Sequence, residues 1–231
     1  MSGPKGWTPP EFRISFWNSQ TLSPLKWGLF SERCRAGVVG LAEFRGDWGF
    51  THLLSNSHHV IRSDDGDNCV LIDRSSAKPI SVFLDTPFAL GISLEYQGAI
   101  MSVVSCHLAC NAAARGAQID VLCGVLRTHR PAVVMGDFNF DQDRGVAPSL
   151  KDLTWVALLS ELHLVDPAPN TPTHFATQQQ ITSQASRRLD YIWTSLQVTS
   201  FHITPTPHLS DHAALTVVVI APPPPTLTHT A

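Results

Sequence analysis

Val133-Val134-Met135-Gly136-Asp137-Phe138-Asn139 reads as a buried strand that runs into a turn carrying one carboxylate and one carboxamide. Pro131-Ala132-Val133-Val134-Met135 is a short apolar run with β-branched residues, bounded by Pro and Gly, which favours a core strand over a helix. Gly136 lets the backbone turn or come close to a neighbour, because it has no Cβ. Asp137 and Asn139 lie two apart, so their side chains share a face if strand geometry persists through the turn. A hard cation with a phosphate oxygen wants that pairing: a carboxylate holds charge, and an amide orients oxygen without adding charge. A polar loop with Asp137 in an Asx-turn is the other reading of the same residues.

Outward from this stretch, other apolar runs also end in polar groups. Residues 11–18 alternate, with Phe12, Ile14 and Phe16 on one face, and deliver Asn18 to the end of a strand. Residues 37–41 form a second buried strand ending near Glu43. Residues 21–31 read as a loop or short helix, and residues 44–48 as a loop. Strands at 59–61 and 69–72 flank Asp64-Asp65-Gly66-Asp67, an Asp-Gly hairpin signal without the Glu that a calcium loop needs. Strands follow at 80–84, 88–96 and 99–105. Residues 111–127 form the clearest helix, with Asn111 as its N-cap and Ile119, Leu122, Val125 and Leu126 on one face. A second helix covers 153–162, with Trp155, Leu158, Leu159 and Leu162 inward. Residues 170–186 are rich in Thr, Gln, Ser and Pro and form a long loop of the kind that often carries function. The last strands are 189–194, 198–203 and 213–220.

The 231 residues suit one large domain, and 43% hydrophobic residues suffice for its core. A net charge of −3 argues against a strongly basic protein that coats nucleic acid, although a local basic patch is compatible with it. The five cysteines form no Cys-x-x-Cys pair and read as reduced thiols of an intracellular protein. No apolar run is long enough to span a bilayer. Residues 1–10 read as a disordered lead-in, residues 11–220 as the domain, and residues 221–231 as a proline-rich tail that could join a downstream domain as a polyproline II spacer.

Gly136-Asp137-Phe138-Asn139, Arg188-Leu189-Asp190-Tyr191 and Ser210-Asp211-His212, with Asn18 and Glu43 ahead of them, stand in a specific order. In that order the chain resembles the endonuclease/exonuclease/phosphatase superfamily, which includes DNase I-like nucleases, apurinic endonucleases and LINE-type retrotransposon endonucleases. The matching segments run from about residue 12 to residue 220. The resemblance implies an α/β (α+β) fold: a four-layered αββα sandwich of two packed mixed β-sheets, built from two similar halves. It also implies a Mg²⁺-dependent phosphodiesterase, with Mn²⁺ as the alternative ion and nucleic acid as partner. Within the superfamily the motifs sit closest to an endonuclease on DNA, with a retrotransposon as one source. A phosphatase or phospholipase of the same superfamily and a catalytically inactive binding module are the competing readings.

A phosphodiester resists hydrolysis because its oxygens repel a nucleophile, so a cation, an activated water and donors for the growing charge are all needed. Glu43 is the first choice for the metal ligand, with Asn18 and Asp211 beside it. The family usually has Gln before this Glu; here it is Ala42. His212 is the acid/base candidate, since imidazole titrates near neutrality, and Asp190 matches the family residue that orients it. Asp137, Asn139 and His107 complete the catalytic candidates. Asn139, Asn111, Arg115 and Thr173 are the substrate-binding candidates. Asp211 would point away from His212 if both lay in one strand. His107-Leu108 replaces the Tyr that apurinic-type and most retrotransposon-type members carry here, and it resembles the DNase I-like, sphingomyelinase-like and tyrosyl-DNA phosphodiesterase pattern.

Overall fold

In chain order the elements are β1 (Glu11–Asn18), α1 (Pro24–Cys34), β2 (Val38–Ala42), α2 (Trp48–Ser55), β3 (His58–Arg62), β4 (Cys69–Asp73), β5 (Lys78–Thr86), β6 (Ala89–Tyr96), β7 (Ala99–His107), α3 (Ala112–His129), β8 (Val133–Asp137), α4 (Leu150–Glu161), β9 (Asp190–Thr194), β10 (Val198–Thr204) and β11 (Ala214–Ile220). The computed structural model describes residues 10–46, 48–64, 67–140, 149–168, 171–174, 187–206 and 209–224. Most of the lead-in, most of the proline-rich tail and residues 175–186 of the long loop lie outside the described residues.

The strands form two sheets, one in the order β10-β11-β1-β2-β4-β3 and the other β5-β6-β7-β8-β9. Each sheet has one parallel pair, β1 with β2 and β7 with β8, and every other neighbouring pair is antiparallel. The parallel pairs are the two β-α-β crossovers, through α1 and through α3, because parallel neighbours need a long connection. This repeat is the pair of similar halves that the resemblance implies.

Three buried clusters mark the three interfaces of a four-layered sandwich. Between the sheets, Phe12, Ile14 and Phe16 of β1 meet Ile92, Val103, Met135 and Ile192. Behind the five-stranded sheet, Ile119, Leu122 and Leu126 of α3 and Trp155, Leu158 and Leu159 of α4 cover Val104, Val134 and Tyr191. Behind the six-stranded sheet, Phe30 of α1 and Phe50 and Leu54 of α2 cover Trp17, Leu41 and Leu71. Both faces of β2, β8 and β9 are therefore buried, which explains why these strands read as continuous apolar runs rather than as alternation.

The helices differ from the sequence expectation for local reasons. α1 is a full helix, not a loop: Ser23 Oγ accepts from Lys26 N at its N-cap, and Pro24 opens the first turn. α2 begins at Trp48, within the stretch expected as loop, and Phe50 and Leu54, four apart, are its buried contacts. α4 begins at Leu150 instead of residue 153, because Ser149 and Asp152 form a reciprocal capping box.

Candidate active site

The strand directions bring the polar ends together. Parallel β7 and β8 finish side by side, with His107 paired to Asp137, and antiparallel β9 starts where β8 ends, with Asp190 opposite Asp137. In the other sheet β1 and β2 finish together, with Asn18 paired to Ala42 and Glu43 the next residue. β11 starts at the same rim, directly after Asp211 and His212.

Asp190 is fully buried, and its oxygens lie 2.8 and 3.0 Å from His212 Nδ1. This leaves His212 Nε2 facing Asp137 Oδ2 at 3.7 Å and Asp211 Oδ1 at 3.6 Å. Burial alone would lower the His212 pKa, but the charge and hydrogen bond of Asp190, with Asp137 and Asp211 behind them, outweigh it and push the ring up to about 10. The imidazole is therefore protonated at neutral pH. Asp137 moves up from the usual carboxylate range because it is buried and faces Asp190. Its Oδ2 accepts from Asn18 Nδ2 at 3.0 Å, and the same amide nitrogen donates to Glu43 Oε1 at 3.1 Å. His107 Nε2 lies 4.0 Å from both Glu43 Oε1 and Asp137 Oδ2. Asn18, Glu43, His107, Asp137, Asp190, Asp211 and His212 thus converge at one rim.

Four expectations are corrected in detail. First, strand geometry does not persist to Asn139. β8 ends at Asp137, Asn139 has a left-handed φ of 52°, and its side-chain amide donates to Leu108 O at 2.7 Å. Asn139 N donates to Asp137 Oδ1 at 3.0 Å, so the Asx-turn and the site role coexist on the two oxygens of one carboxylate. Second, Asn18 turns its amide nitrogen to the two acids and its oxygen to Gln20 N, so it bridges carboxylates instead of offering a ligand oxygen. Third, Asp211 lies before β11, not within it, and its side chain is on the same side as that of His212. Fourth, Arg115 and Thr173 are occupied by the fold rather than open to substrate, and the exposed Asn111 uses its side-chain oxygen as a helix cap. Asn111 caps α3 by accepting from Ala113 N and Ala114 N. Thr173 is buried, and its hydroxyl oxygen accepts from Leu189 N and Asp190 N, which fixes the start of β9. Arg115 pairs with Asp152 across α3 and α4 and donates to Ala109 O and Cys110 O.

Arg115→Ala leaves Asp152 buried without its ion partner but still hydrogen-bonded to Ser149, so a loss of about 1.5–3 kcal/mol in unfolding free energy is expected. Urea denaturation measures it. Activity per folded molecule should stay unchanged; a raised KM with wild-type stability would return Arg115 to the substrate.

Ser210 and Arg188 stand in the quoted motifs without a role of their own, and His174 lies with Thr171 and Thr173 on the long loop expected to contact substrate. Ser210 Oγ donates to Asn18 O at 2.7 Å and accepts from His212 N at 3.1 Å, tying the end of β1 to the segment that leads into β11 within the six-stranded sheet. Arg188 is buried, pairs with Asp166 at 2.7 Å and lies 4.7 Å over the Tyr191 ring. That contact anchors the residues before Asp190. His174 Nε2 is 3.5 Å from Asp211 Oδ2, beside His212. A hydroxyl two residues before His212 is the only sequence cue for Ser210, and nothing in the sequence pairs Arg188 with Asp166.

A model of the endonuclease/exonuclease/phosphatase family matches residues 17–212. The chain belongs to this family. Its members are metal-dependent phosphoester hydrolases, and the carboxylates at the rim fit that chemistry. Glu43 and Asp211 are only partly exposed, and Asp211 Oδ1 is buried with no hydrogen-bond partner among the described residues, an oxygen that a cation would satisfy. Solved structures share the fold. The endonuclease domain of TRAS1, a telomere-specific non-LTR retrotransposon, is 15% identical with a TM-score of 0.73, covering 92% of this chain and 99% of that one. A family member from Bacteroides thetaiotaomicron is 14% identical with a TM-score of 0.69, covering 94% and 100%. D. rerio TDP2 complexed with a single-strand DNA product is 17% identical with a TM-score of 0.65, covering 90% and 98%. No curated protein matches the chain.

Proposed function

We propose that this chain is a divalent-cation-dependent phosphodiesterase, Mg²⁺ first and Mn²⁺ second, and that it acts on DNA as an endonuclease. The observation that carries the reading is the buried Asp190–His212 pair, with Nε2 of the ring directed at Asp137 and the Glu43 carboxylate held on the same side by Asn18. His212, protonated through Asp190, donates to the phosphate or to the leaving oxygen. Asp137, a carboxylate with a raised pKa, takes the proton of the attacking water. His107 faces the same space and contacts a phosphate oxygen. Glu43 and Asp211 would hold a divalent cation, which would supply positive charge to the phosphate oxygens when bound. The TRAS1 endonuclease domain and the DNA-bound TDP2 support nucleic acid as the substrate class.

A phosphatase or phospholipase of the same family is favoured by one observation, the net charge of −3, because phosphate contacts to long nucleic acids normally draw on excess positive charge. Supercoiled plasmid and small phosphomonoesters, each with and without Mg²⁺, separate the readings. Nicking of plasmid only with the cation is the expected result. Cleavage of small esters alone would move the chain to the second reading.

Glu43→Gln keeps the shape of the side chain and its bond from Asn18 but removes the charge. The fold should be unchanged by circular dichroism, and the Mg²⁺ concentration for half-maximal cleavage should rise by about tenfold or more, the scale seen for groups that tune metal affinity. Undiminished cleavage at limiting Mg²⁺ removes Glu43 from the site.

A further inference from the structure

His174 and His212 form an isolated antiparallel bridge, and Ala213 N donates to Thr173 O at 2.8 Å beside it. The bridge sets the two imidazole rings 4.8 Å apart at 69° to each other. Asp211 reaches between them, with Oδ2 3.5 Å from His174 Nε2 and Oδ1 3.6 Å from His212 Nε2. Both separations exceed the ~2.7–2.9 Å of a charge-assisted hydrogen bond. Asp211 Oδ1 and His174 Nδ1 are buried without a hydrogen-bond partner among the described residues. His212 Nδ1 is held by Asp190, so Nε2 is its outward nitrogen, the arrangement by which a carboxylate orients a metal-binding imidazole.

We propose that His174 Nε2, the Asp211 carboxylate and His212 Nε2 bind one divalent cation of the Zn²⁺ class, in a ligand set that shares Asp211 with the Glu43 site but does not use Glu43. Two imidazole nitrogens with one carboxylate are a poor set for Mg²⁺, which takes oxygen, and a good one for Zn²⁺ or Co²⁺. Ligands at ~2.0–2.2 Å in tetrahedral array stand about 3.4 Å apart. The contacts at 3.5 and 3.6 Å, each to a different oxygen of the Asp211 carboxylate, are close to that spacing. All three donor atoms lie within 4.8 Å of one another, so the widest gap closes by about 1.4 Å at most. The partly exposed His174 side chain can make that movement. Binding displaces the His212 Nε2 proton to solvent and withdraws that nitrogen from the phosphodiester, so the ion acts as an inhibitor; this consequence rests on the proposed hydrolase function, whereas binding does not.

Binding is therefore measured without substrate. The full chain, stripped with a chelator, is titrated with Zn²⁺ by calorimetry and with Co²⁺ by visible absorption. One equivalent should bind, with a tetrahedral Co²⁺ band. His174→Asn should weaken that equivalent by at least about tenfold and remove the band. His174→Cys, which keeps a donor, should retain it, and Glu43→Gln should leave it unchanged. Absence of binding overturns the proposal. So does equal affinity in His174→Asn, or loss in Glu43→Gln with retention in His174→Asn. If His174→Asn does not fold, Asp211→Asn takes its place, and wild-type affinity there overturns the proposal equally.

Discussion

Asp190→Asn lowers phosphodiester cleavage by roughly a hundredfold to ten-thousandfold, the range of general acid–base contributions, with little change in substrate binding. Asp190 is buried and accepts only at His212 Nδ1 among the described side chains, so an amide of the same shape fits the space. Two things change. The amide no longer favours a proton on Nδ1, so the ring adopts the wrong tautomer for its task. The ring also loses the charge that holds its pKa at about 10. The sign follows directly. In wild type the imidazolium persists through neutral pH and is lost only as pH rises towards about 10. In Asp190→Asn that loss moves down in pH, so the ratio of wild-type to variant rate grows between neutrality and pH 9. Stability follows the same linkage. A raised folded-state pKa contributes stability that is complete below the ordinary value of 6.5 and disappears as pH rises through about 10. Asp190→Asn should flatten that alkaline decline. Asp137 is buried beside Asp190 and His212, so the measured profile belongs to the cluster and not to one residue. The test is the pH–rate profile of wild type beside Asp190→Asn and His212→Ala. Equal rates for all three across neutral pH would end the mechanism.

The layers were legible because strand and helix signals are local. Phe12, Ile14 and Phe16 alternate in the sequence and line the space between the sheets; Trp155, Leu158 and Leu159 recur at helical spacing and lie behind one of them. The convergence of Asn18, Glu43, Asp137, Asp190 and His212 was legible through the order of motifs, since each one ends or starts a strand. What spacing could not supply was the partner of each side chain. Arg115 stands 37 residues from Asp152, and Thr173 is 17 residues from the backbone N–H of Asp190 that it accepts from. Both bonds are tertiary, and a polar residue near a site looks the same in sequence whether it faces substrate or the fold. The direction of Asp211 was left conditional on a strand for a different reason. Period-two reasoning holds only inside a strand, and β11 begins three residues later, at Ala214. Asn139 shows the same failure at the end of β8, where a left-handed residue resets the direction of the side chain.

Gly136→Ala should remove both fold and activity, and it locates where the two meet. Gly136 is buried in β8, paired with Cys106 of the parallel strand β7. A Cβ built there would stand 2.3 Å from Cys106 O and 2.6 Å from Cys106 Sγ. The carbonyl belongs to the backbone, so relief requires β7 and β8 to separate. The sequence reading that Gly136 permits close approach is thereby given its partner. Overpacking a core normally costs about 1–3 kcal/mol, and a backbone contact this short places the substitution at or above the top of that range. Against a native stability on the order of 5–15 kcal/mol, the loss is large. The next residue is Asp137, whose alignment with His107 and Asp190 depends on the two strand pairs. Molecules that remain folded should therefore cleave poorly as well. Cys106→Ala in the same chain removes the sulfur contact but not the carbonyl, so it should restore little of either property. Urea denaturation and plasmid nicking per folded molecule measure the two losses. A Gly136→Ala protein with wild-type stability and rate would show that the close approach of β7 and β8 does not set the position of Asp137.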